Sequence, residues 1–375
     1  MSASLVGSEM CIRDRARHVK ARFCLNEGTH YKYHDELEYA SEAEKWLQMA
    51  ATESDKLITS GRYEIYNTGH PQEDYFNMYR IDDKSDLKEA VLYVDYKTNI
   101  REHNMAAAGR EAGCGFSKSF VESFLCSDGL PISLSNKYLG DETMRKETAN
   151  RDPRLKQLIL TNDFPTNVTD DLKDSTFVVN EDEFITQHCF TGYRPIKGFN
   201  PIYSQALYMK SSFDGIAYRY AETLLINAEA KAELNTITNA DLDRTVNQLR
   251  DRVGMPHLTV NVGFTDPKWP DWGYSLSPVL QEIRRERCIE LAGEGFRFND
   301  LKRWKAGKLL NNVLTYVGKR KPDGNLAIVY PNYTNPDLSY QAGKSRTWED
   351  KMYLYPIPTG ELQRNPQLLP QNPGW

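Results

Sequence analysis

The chain has 375 residues, 40% of them hydrophobic, and a formal net charge of -5; that length can bury a core in one large domain or two. Because an acidic balance provides no broad basic field, a nucleic-acid partner is not favoured. No segment reaches the ~18 apolar residues of a membrane span. The six cysteines are scattered without C-x2-C spacing, which argues against a structural zinc site.

The first fifteen residues, MSASLVGSEMCIRDR, lack the periodicity of a core helix, and they have neither the charged n-region nor the cleavage site of a secretion signal. They resemble a stretch found at the starts of many unrelated reading frames from environmental DNA. We therefore expect residues 1–15 to be a non-native leader that makes no packed contacts; the alternative is a genuine disordered leader. Cys11 is not a lipidation site, because no apolar segment precedes it.

Residues 39–58 predict an amphipathic helix. Its apolar face carries small alanines with one large aromatic residue, Trp46, which suits close packing of paired helices as in tetratricopeptide-like repeats. Gly61 supplies the left-handed residue that ends such a helix. From Tyr63 to about Met209 the pattern becomes loop-rich, with a strand predicted over residues 89–96 and turns around the Asp-Gly and Asp-Pro pairs.

A second helix is predicted over residues 216–234. A partner helix capped by Asn239 or Asp241 follows and ends near Gly254. Together they form a helical hairpin that fits a repeat unit. Residues 258–277 then predict an irregular loop.

An aromatic loop, KWPDWGY, lies in that irregular stretch. Trp269, Trp272 and Tyr274 are candidate sugar-contacting residues, because aromatic rings cover the C–H faces of sugars. Asp271 is a candidate partner for the hydroxyl groups. We expect the loop to project from the scaffold. The alternative is that one or both tryptophans fold back into the core.

A charged helix begins at Pro278, with Ser277 as its predicted N-cap, and continues until Gly295 breaks it. Carboxylates recur every four residues along it, which would be unfavourable on an exposed face. They make sense if arginines, from this or another element, fork onto them in a partly buried ion network that fixes how helices cross. The alternative is a catalytic role for part of the row. The predicted network residues are Glu286, Arg287, Glu290, Glu294, Arg297, Asp300 and Arg303.

Motifs for catalysis or cofactor binding are absent from the sequence: it holds no G-x-S-x-G elbow, no phosphate-cradling glycine loop and no H-E-x-x-H. His30 and His34 stand four residues apart and could share a helix face as metal ligands. Gly28 and Thr29 beside them indicate a turn instead, so we predict neither a metal site nor a cofactor.

The charged helix carries a family resemblance. The run E-R-x-I-E-L-A-x-E-G-x-R-x-x-D-L-x-R-W, from Glu286 to Trp304, resembles the C-terminal hallmark of the SusD/RagB family, cell-surface glycan-binding lipoproteins of Bacteroidetes-type bacteria. Gly293 and Asn299 depart mildly from the family pattern. Residues 353–375, 216–234 and 16–34 are also similar to family segments.

The resemblance implies a mainly α fold, in which tetratricopeptide-like helical pairs form an α-α superhelix and carry long irregular excursions. It also implies that about a third of a full-length relative precedes this chain, so we expect residues 16–375 to be an N-terminally truncated SusD-like domain. Within it we expect a helical part (16–62), a loop-rich excursion (63–210), a helical hairpin with the hallmark helix (211–304) and an irregular C-terminal region (305–375).

The function implied by the resemblance is non-catalytic capture of oligosaccharide at the outer surface of the outer membrane. The expected partner is a SusC-like TonB-dependent transporter. Membrane attachment would occur only through a lipid anchor that this chain lacks. Two alternatives remain: a helical-repeat scaffold that binds protein alone, and, more remotely, a glycoside hydrolase, whose carboxylate pair cannot be assigned without a separation in space.

Overall fold

A computed structural model describes residues 2–105, 115–165, 176–186, 189–328 and 347–375; side chains are described from residue 12 onward, except at 164–165, 176–178 and 328. The prediction of a mainly α fold is confirmed. The helices of these ranges are α1 Ser2–Tyr33, α2 Ala43–Ile58, α3 Asp74–Met78, α4 Lys118–Ser123, α5 Met144–Thr148, α6 Arg154–Leu158, α7 Tyr203–Ala206, α8 Tyr220–Glu233, α9 Asn239–Asp243, α10 Val246–Arg252, α11 Pro278–Glu290, α12 Arg297–Arg303 and α13 Thr359–Arg364.

Within the described ranges the strands form three antiparallel two-stranded ribbons. They pair as β1 Ala90–Val94 with β4 Gly215–Arg219, β2 Asp163–Pro165 with β3 Thr176–Val178, and β5 Val317–Arg320 with β6 Leu326–Ile328. The predicted strand over 89–96 is therefore confirmed as β1. Its partner β4 lies directly before α8, so the ribbon fixes where that helix starts.

Four helices form the scaffold: α1 packs on α2, α2 on α8, and α8 on α11. Small residues allow the close approach, since Ala50, Ala228 and Ala230 are all fully buried. Gly28 sits where α1 crosses α2, and a Cβ built there would lie 2.8 Å from Cγ of Leu47. The core thus follows the alanine-rich faces that the sequence predicts.

Two predictions about the start of the chain are wrong. Gly28 and Thr29 do not form a turn, because α1 continues through them to Tyr33; the glycine serves helix packing instead. The expectation that residues 1–15 make no packed contacts fails at Asp14 and Arg15. Asp14 is buried, and the Nε–H of Arg15 donates to the carbonyl of Val91 at 3.3 Å.

The helix predicted over 216–234 is shorter than expected. Residues 216–219 belong to β4, and α8 begins at Tyr220. The last residue of β4 is the buried Arg219, which serves as N-cap residue of α8. Pairing with a strand more than a hundred residues away therefore overrides the local helical pattern.

Several helix ends follow the predicted chemistry. Ser277 caps α11, since its side chain accepts from the N–H of Leu280, and Pro278 is the first helical residue. The cap of α9 is Thr238 rather than Asn239 or Asp241, and Asp241 completes a capping box with it. The hallmark helix ends at Glu290, before the predicted break at Gly295.

No helix within the described part of the chain is both long and apolar enough to cross a bilayer.

Candidate functional site

Glu290 is the centre of a buried ion network that joins α11 to three other parts of the fold. Its carboxylate accepts from Arg219 at 2.5 Å, from Arg252 at 2.6 and 2.7 Å, and from Arg154 at 3.0 Å. All four side chains are almost completely buried. Burial disfavours the charged form of Glu290, but the guanidinium groups outweigh that cost and hold its pKa well below the ordinary value.

The network extends along the carboxylate row in both directions. Glu286 accepts from Arg154 and, at 3.1 Å, from Arg250. Glu294 accepts from Arg219 and from Lys197, each at 2.7 Å. The arginines that fork onto the row thus come mostly from other elements, and their fixed geometry positions α11.

A second branch ties α11 to α12 and α8. Asp300 accepts from the Nε–H of Arg287 and of Arg303, each at 2.9 Å. Arg303 also donates to Glu229 of α8 at 2.6 Å. Arg297 differs from the prediction: it is exposed at the start of α12 and makes no ion pair with the described residues. It is the first residue of α12, whose inward face begins only at Asp300.

Four charged residues of the ion network around Glu290 were not predicted from the sequence. Arg154, Arg219, Arg252 and Glu89 lie 38 to 201 residues from Glu290 along the chain, so no local pattern connects them. The available signal was a charged residue inside an otherwise apolar segment, as at Arg219 between Tyr218 and Tyr220. Such a residue must find a partner when the segment is buried.

The aromatic loop does not project as predicted. Trp272 is only 5% exposed; its ring packs edge-on against Trp304 with centroids 5.5 Å apart. Its indole N–H donates to the side-chain carbonyl of Gln281 at 2.6 Å. The expectation of an exposed Trp272 is therefore wrong, because the α11–α12 junction leaves an apolar recess that this ring fills.

The neighbouring residues of that loop also make contacts within the fold. Tyr274 stacks on Tyr33, with ring centroids 4.3 Å apart, and its hydroxyl donates to the carbonyl of Trp304 at 2.5 Å. The half-buried Trp269 donates to Glu282 at 2.7 Å. Asp271 is exposed, and its carboxylate accepts from the N–H of Gly273 at 2.9 Å. Sugar contact by Trp269, Asp271 and the partly exposed Tyr274 stays a prediction.

A cleft of about 1090 Å³ lies between α1, β4 and the turn that follows α11. Its floor is polar: the ammonium of Lys197 donates to the Tyr75 hydroxyl, the Ala292 carbonyl and Glu294 at 2.7 to 2.8 Å. Burial lowers the pKa of Lys197 to about 8. Tyr79 also donates to Glu294, at 3.1 Å. These groups satisfy one another, so the floor offers little hydrogen bonding to a sugar.

A surface with more suitable chemistry is the tyrosine platform, which we define as residues 97–105 and 203–212. Its two segments are joined by backbone hydrogen bonds between His103 and Ser211 at 2.8 and 3.1 Å. Asn104 accepts from the N–H of Met209 at 3.1 Å, and Lys210 pairs with Glu102 at 3.1 Å. Met209 has φ +56°, a conformation that costs energy outside glycine and is held here by these bonds.

The platform displays Tyr203 and Tyr208, which are 57% and 74% exposed. Their hydroxyl groups bond to no other side chain or backbone group of the described residues. Ile100 and Met105, on the other segment of the platform, are also exposed. This stretch spans the end of the loop-rich excursion expected from the sequence, and the two tyrosines five residues apart were the available signal for a site there.

The histidine pair is adjacent but is not part of a metal-binding cluster. The rings of His30 and His34 stack with centroids 4.1 Å apart. The Nδ1 atom of His34 lies 2.9 Å from a carboxylate oxygen of Glu36, and its Nε2 atom lies 2.8 Å from the carbonyl oxygen of Lys302. Among the residues that the structure describes, no group of three or more metal-ligating side chains occurs.

A model of the SusD family matches residues 53–375 of this chain. The chain is 33% identical over 166 residues to SusD-like protein P2 of Formosa agariphila, a match that covers 44% of this chain and 27% of that protein. The match therefore spans less than a third of the length of this curated relative.

Solved structures share the fold. A SusD-like protein from Bacteroides fragilis superposes with a TM-score of 0.65 at 23% identity, over 96% of this chain and 65% of that one. A SusD-like carbohydrate binding protein from the same species superposes with a TM-score of 0.62 at 22% identity, over 95% and 64%. With the family match over most of its residues, the chain belongs to the SusD family.

Proposed function

We propose that this member of the SusD family binds oligosaccharides at the cell surface, and that the tyrosine platform provides the contact surface. The observation that carries the proposal is the exposure of Tyr203 and Tyr208 on a rigidly bonded two-segment frame. One structurally similar protein is named a carbohydrate binding protein, which supports the ligand class.

The chemistry of the platform fits a sugar. A tyrosine ring covers the C–H face of a pyranose, and the hydroxyl groups around that face need donors and acceptors nearby. At the rim, the amide N–H groups of Asn104 and the ammonium of the exposed Lys210 keep donors beyond their bonds to Met209 and Glu102. Because backbone hydrogen bonds already fix the frame, little ordering entropy is lost when a ligand binds.

We further propose that the captured oligosaccharide passes to a SusC-like TonB-dependent transporter, and that the protein acts at the outer surface of the outer membrane. The support for both is membership of the SusD family. Binding without catalysis is supported by the state of the carboxylate row. A general acid needs a raised pKa, whereas the arginines hold the pKa of Glu290 well below its ordinary value.

The test is glycan binding by the chain and by a Tyr203→Ala/Tyr208→Ala double variant. A glycan array followed by calorimetry on the best ligand should show binding weakened at least about tenfold, because aromatic anchors contribute roughly 1 to 3 kcal/mol each and ~1.4 kcal/mol is a factor of ten. Tyr39→Ala removes an equally exposed tyrosine elsewhere and should leave affinity unchanged.

Three outcomes would redirect the proposal. Unchanged affinity in the double variant, with loss in Trp269→Ala, would move the site to the aromatic loop. A parent chain that binds no glycan on the array would favour a protein-interaction scaffold. Release of reducing ends from a bound oligosaccharide would identify a glycoside hydrolase.

A further inference from the structure

A tight turn at one end of the tyrosine platform brings two cations together. Lys97 and Arg101 are a directly opposed antiparallel pair, because the N–H of each donates to the carbonyl of the other at 2.9 Å. Residues opposed in this way carry their side chains on the same face, with Cβ atoms about 5 Å apart. Both residues are exposed. Two like charges in this arrangement repel each other and destabilise the turn.

The carboxylates near the turn do not compensate this repulsion. Glu102 accepts from the N–H of Asn99 at 3.2 Å and pairs with Lys210 at 3.1 Å. Asp95 is exposed before the turn. In the described part of the chain, neither cation of the turn forms an ion pair with these or other carboxylates. The turn therefore presents two adjacent positive charges to solvent, although the chain as a whole has a net charge of -5.

The turn is fixed to the second segment of the platform. The hydroxyl of Thr98 and the side-chain amide of Gln205 both donate to the hydroxyl of Ser212, each at 3.0 Å. Gln205 also accepts from the N–H of Ser212 at 2.7 Å. Because Gln205 belongs to α7, which begins at Tyr203, the two cations and the exposed ring of Tyr203 share one bonded frame.

The chemistry of the pair fits an anionic group carried on a sugar. A guanidinium presents a planar fork of N–H donors that matches a carboxylate or a tetrahedral oxyanion. The guanidinium of Arg101 already lies over the ring of Tyr96, 4.9 Å from its centroid, so it loses less freedom when it binds. An anion placed between Arg101 and Lys97 would replace their repulsion by attraction.

We propose that Lys97 and Arg101 form an anion subsite of the tyrosine platform, and that the preferred ligand is an acidic oligosaccharide with carboxylate or sulfate groups. The exposed rings of Tyr203 and Tyr208 contact the sugar faces, and an anionic substituent lies between the two cations. The inference rests on the proposed glycan binding and names the class of glycan.

The test compares matched acidic and neutral ligands by calorimetry on the full chain. One pair is an oligogalacturonate and its methyl-esterified form; the other is a sulfated galactan oligosaccharide and its desulfated form. The two pairs distinguish a carboxylate from a sulfate. The chain should bind one acidic ligand at least about fivefold more tightly than its neutral form, a ratio of ~1 kcal/mol. Added salt should reduce the ratio.

A Lys97→Gln/Arg101→Gln variant should bind the acidic and neutral forms equally and keep the affinity of the parent for the neutral form. Because the change removes a like-charge contact, its urea midpoint should not fall below that of the parent. Lys308→Gln/Arg297→Gln removes two exposed cations elsewhere and should retain the preference for the acidic ligand.

Two kinds of failure can be told apart. Equal or weaker affinity for the acidic ligands, or a preference that survives in the Lys97→Gln/Arg101→Gln variant, would overturn the anion subsite and leave glycan binding at the platform in place. A chain that binds no oligosaccharide, acidic or neutral, would refute the platform as a glycan site and the anion subsite with it.

Discussion

Replacing Glu290 tests whether the buried ion network is scaffold. Glu290→Gln keeps the volume of the side chain but removes its charge, leaving Arg154, Arg219 and Arg252 without their common partner. Each guanidinium retains another carboxylate: Arg219 and Arg252 keep Glu89 at 2.7 and 3.4 Å, and Arg154 keeps Asp152 at 2.7 Å. The loss should therefore lie at the lower end of the range for broken buried pairs.

That lower end is about 3 kcal/mol of unfolding free energy. An unfolding entropy of about 2.1 cal/mol/K per residue gives roughly 1.3 °C per kcal/mol for 375 residues, so the melting temperature should fall by about 4 °C. The effect should also depend on pH. Because the pKa of Glu290 is lower in the folded chain than in the unfolded one, its stabilisation is complete above pH ~4.5 and is lost as the pH falls through the folded pKa.

Urea denaturation of both proteins at pH 7 and at pH 4 measures these quantities. The difference in unfolding free energy between the parent and the Glu290→Gln protein should be large at pH 7 and smaller at pH 4. Glu44→Gln, an exposed glutamate on α2, controls for the loss of one negative charge and should change stability by less than about 0.5 kcal/mol. A Glu290→Gln protein as stable as the parent, but unable to bind glycan, would refute the structural role and make the row a site.

Three further predictions concern packing and protonation. Trp272→Ala should cost about 3 kcal/mol or more in unfolding free energy and leave glycan affinity unchanged, as calorimetry and urea denaturation on the same protein would show; the opposite result would return this ring to a binding site. Gly28→Ala should destabilise the chain by ~1–3 kcal/mol, because the new Cβ would lie 3.0 Å from the backbone N of Leu47, whereas Gly360→Ala, with open space around it, should be neutral. Burial and the neighbouring histidine lower the pKa of His30 to about 4. The unfolding free energy should therefore fall as the pH drops from 6.5 towards 4, because only the unfolded chain takes up the proton. A His30→Gln protein whose urea midpoint falls just as steeply over this range would show that His30 is not the cause.

The helices that pack through regular faces could be predicted from the sequence. Periodicity identified α2, and the Ser277–Pro278 pair marked the start of α11. The carboxylate row indicated a need for arginines, because four like charges at helical spacing are unfavourable without them. These are local facts, and helix formation and capping depend on residues within about four positions of each other.

The identity of the arginines was decided only by the tertiary structure. Glu290 and Arg154 are 136 residues apart, and no local sequence pattern indicates that two residues so far apart form an ion pair. The same holds for β4, which looks helical in isolation but pairs with β1 across more than a hundred residues.

The sequence by itself determined α2, the capped start of α11, the charged row and the resemblance to the SusD/RagB family, because each rests on residues close together in the chain. Which aromatic rings are buried was decided only by folding. Trp272 and Tyr208 are both aromatic residues in glycine- or serine-containing irregular stretches, yet the first fills a recess against Trp304 and the second stays in solvent. The difference is whether another element lies opposite the ring, and that depends on the packing of the whole chain.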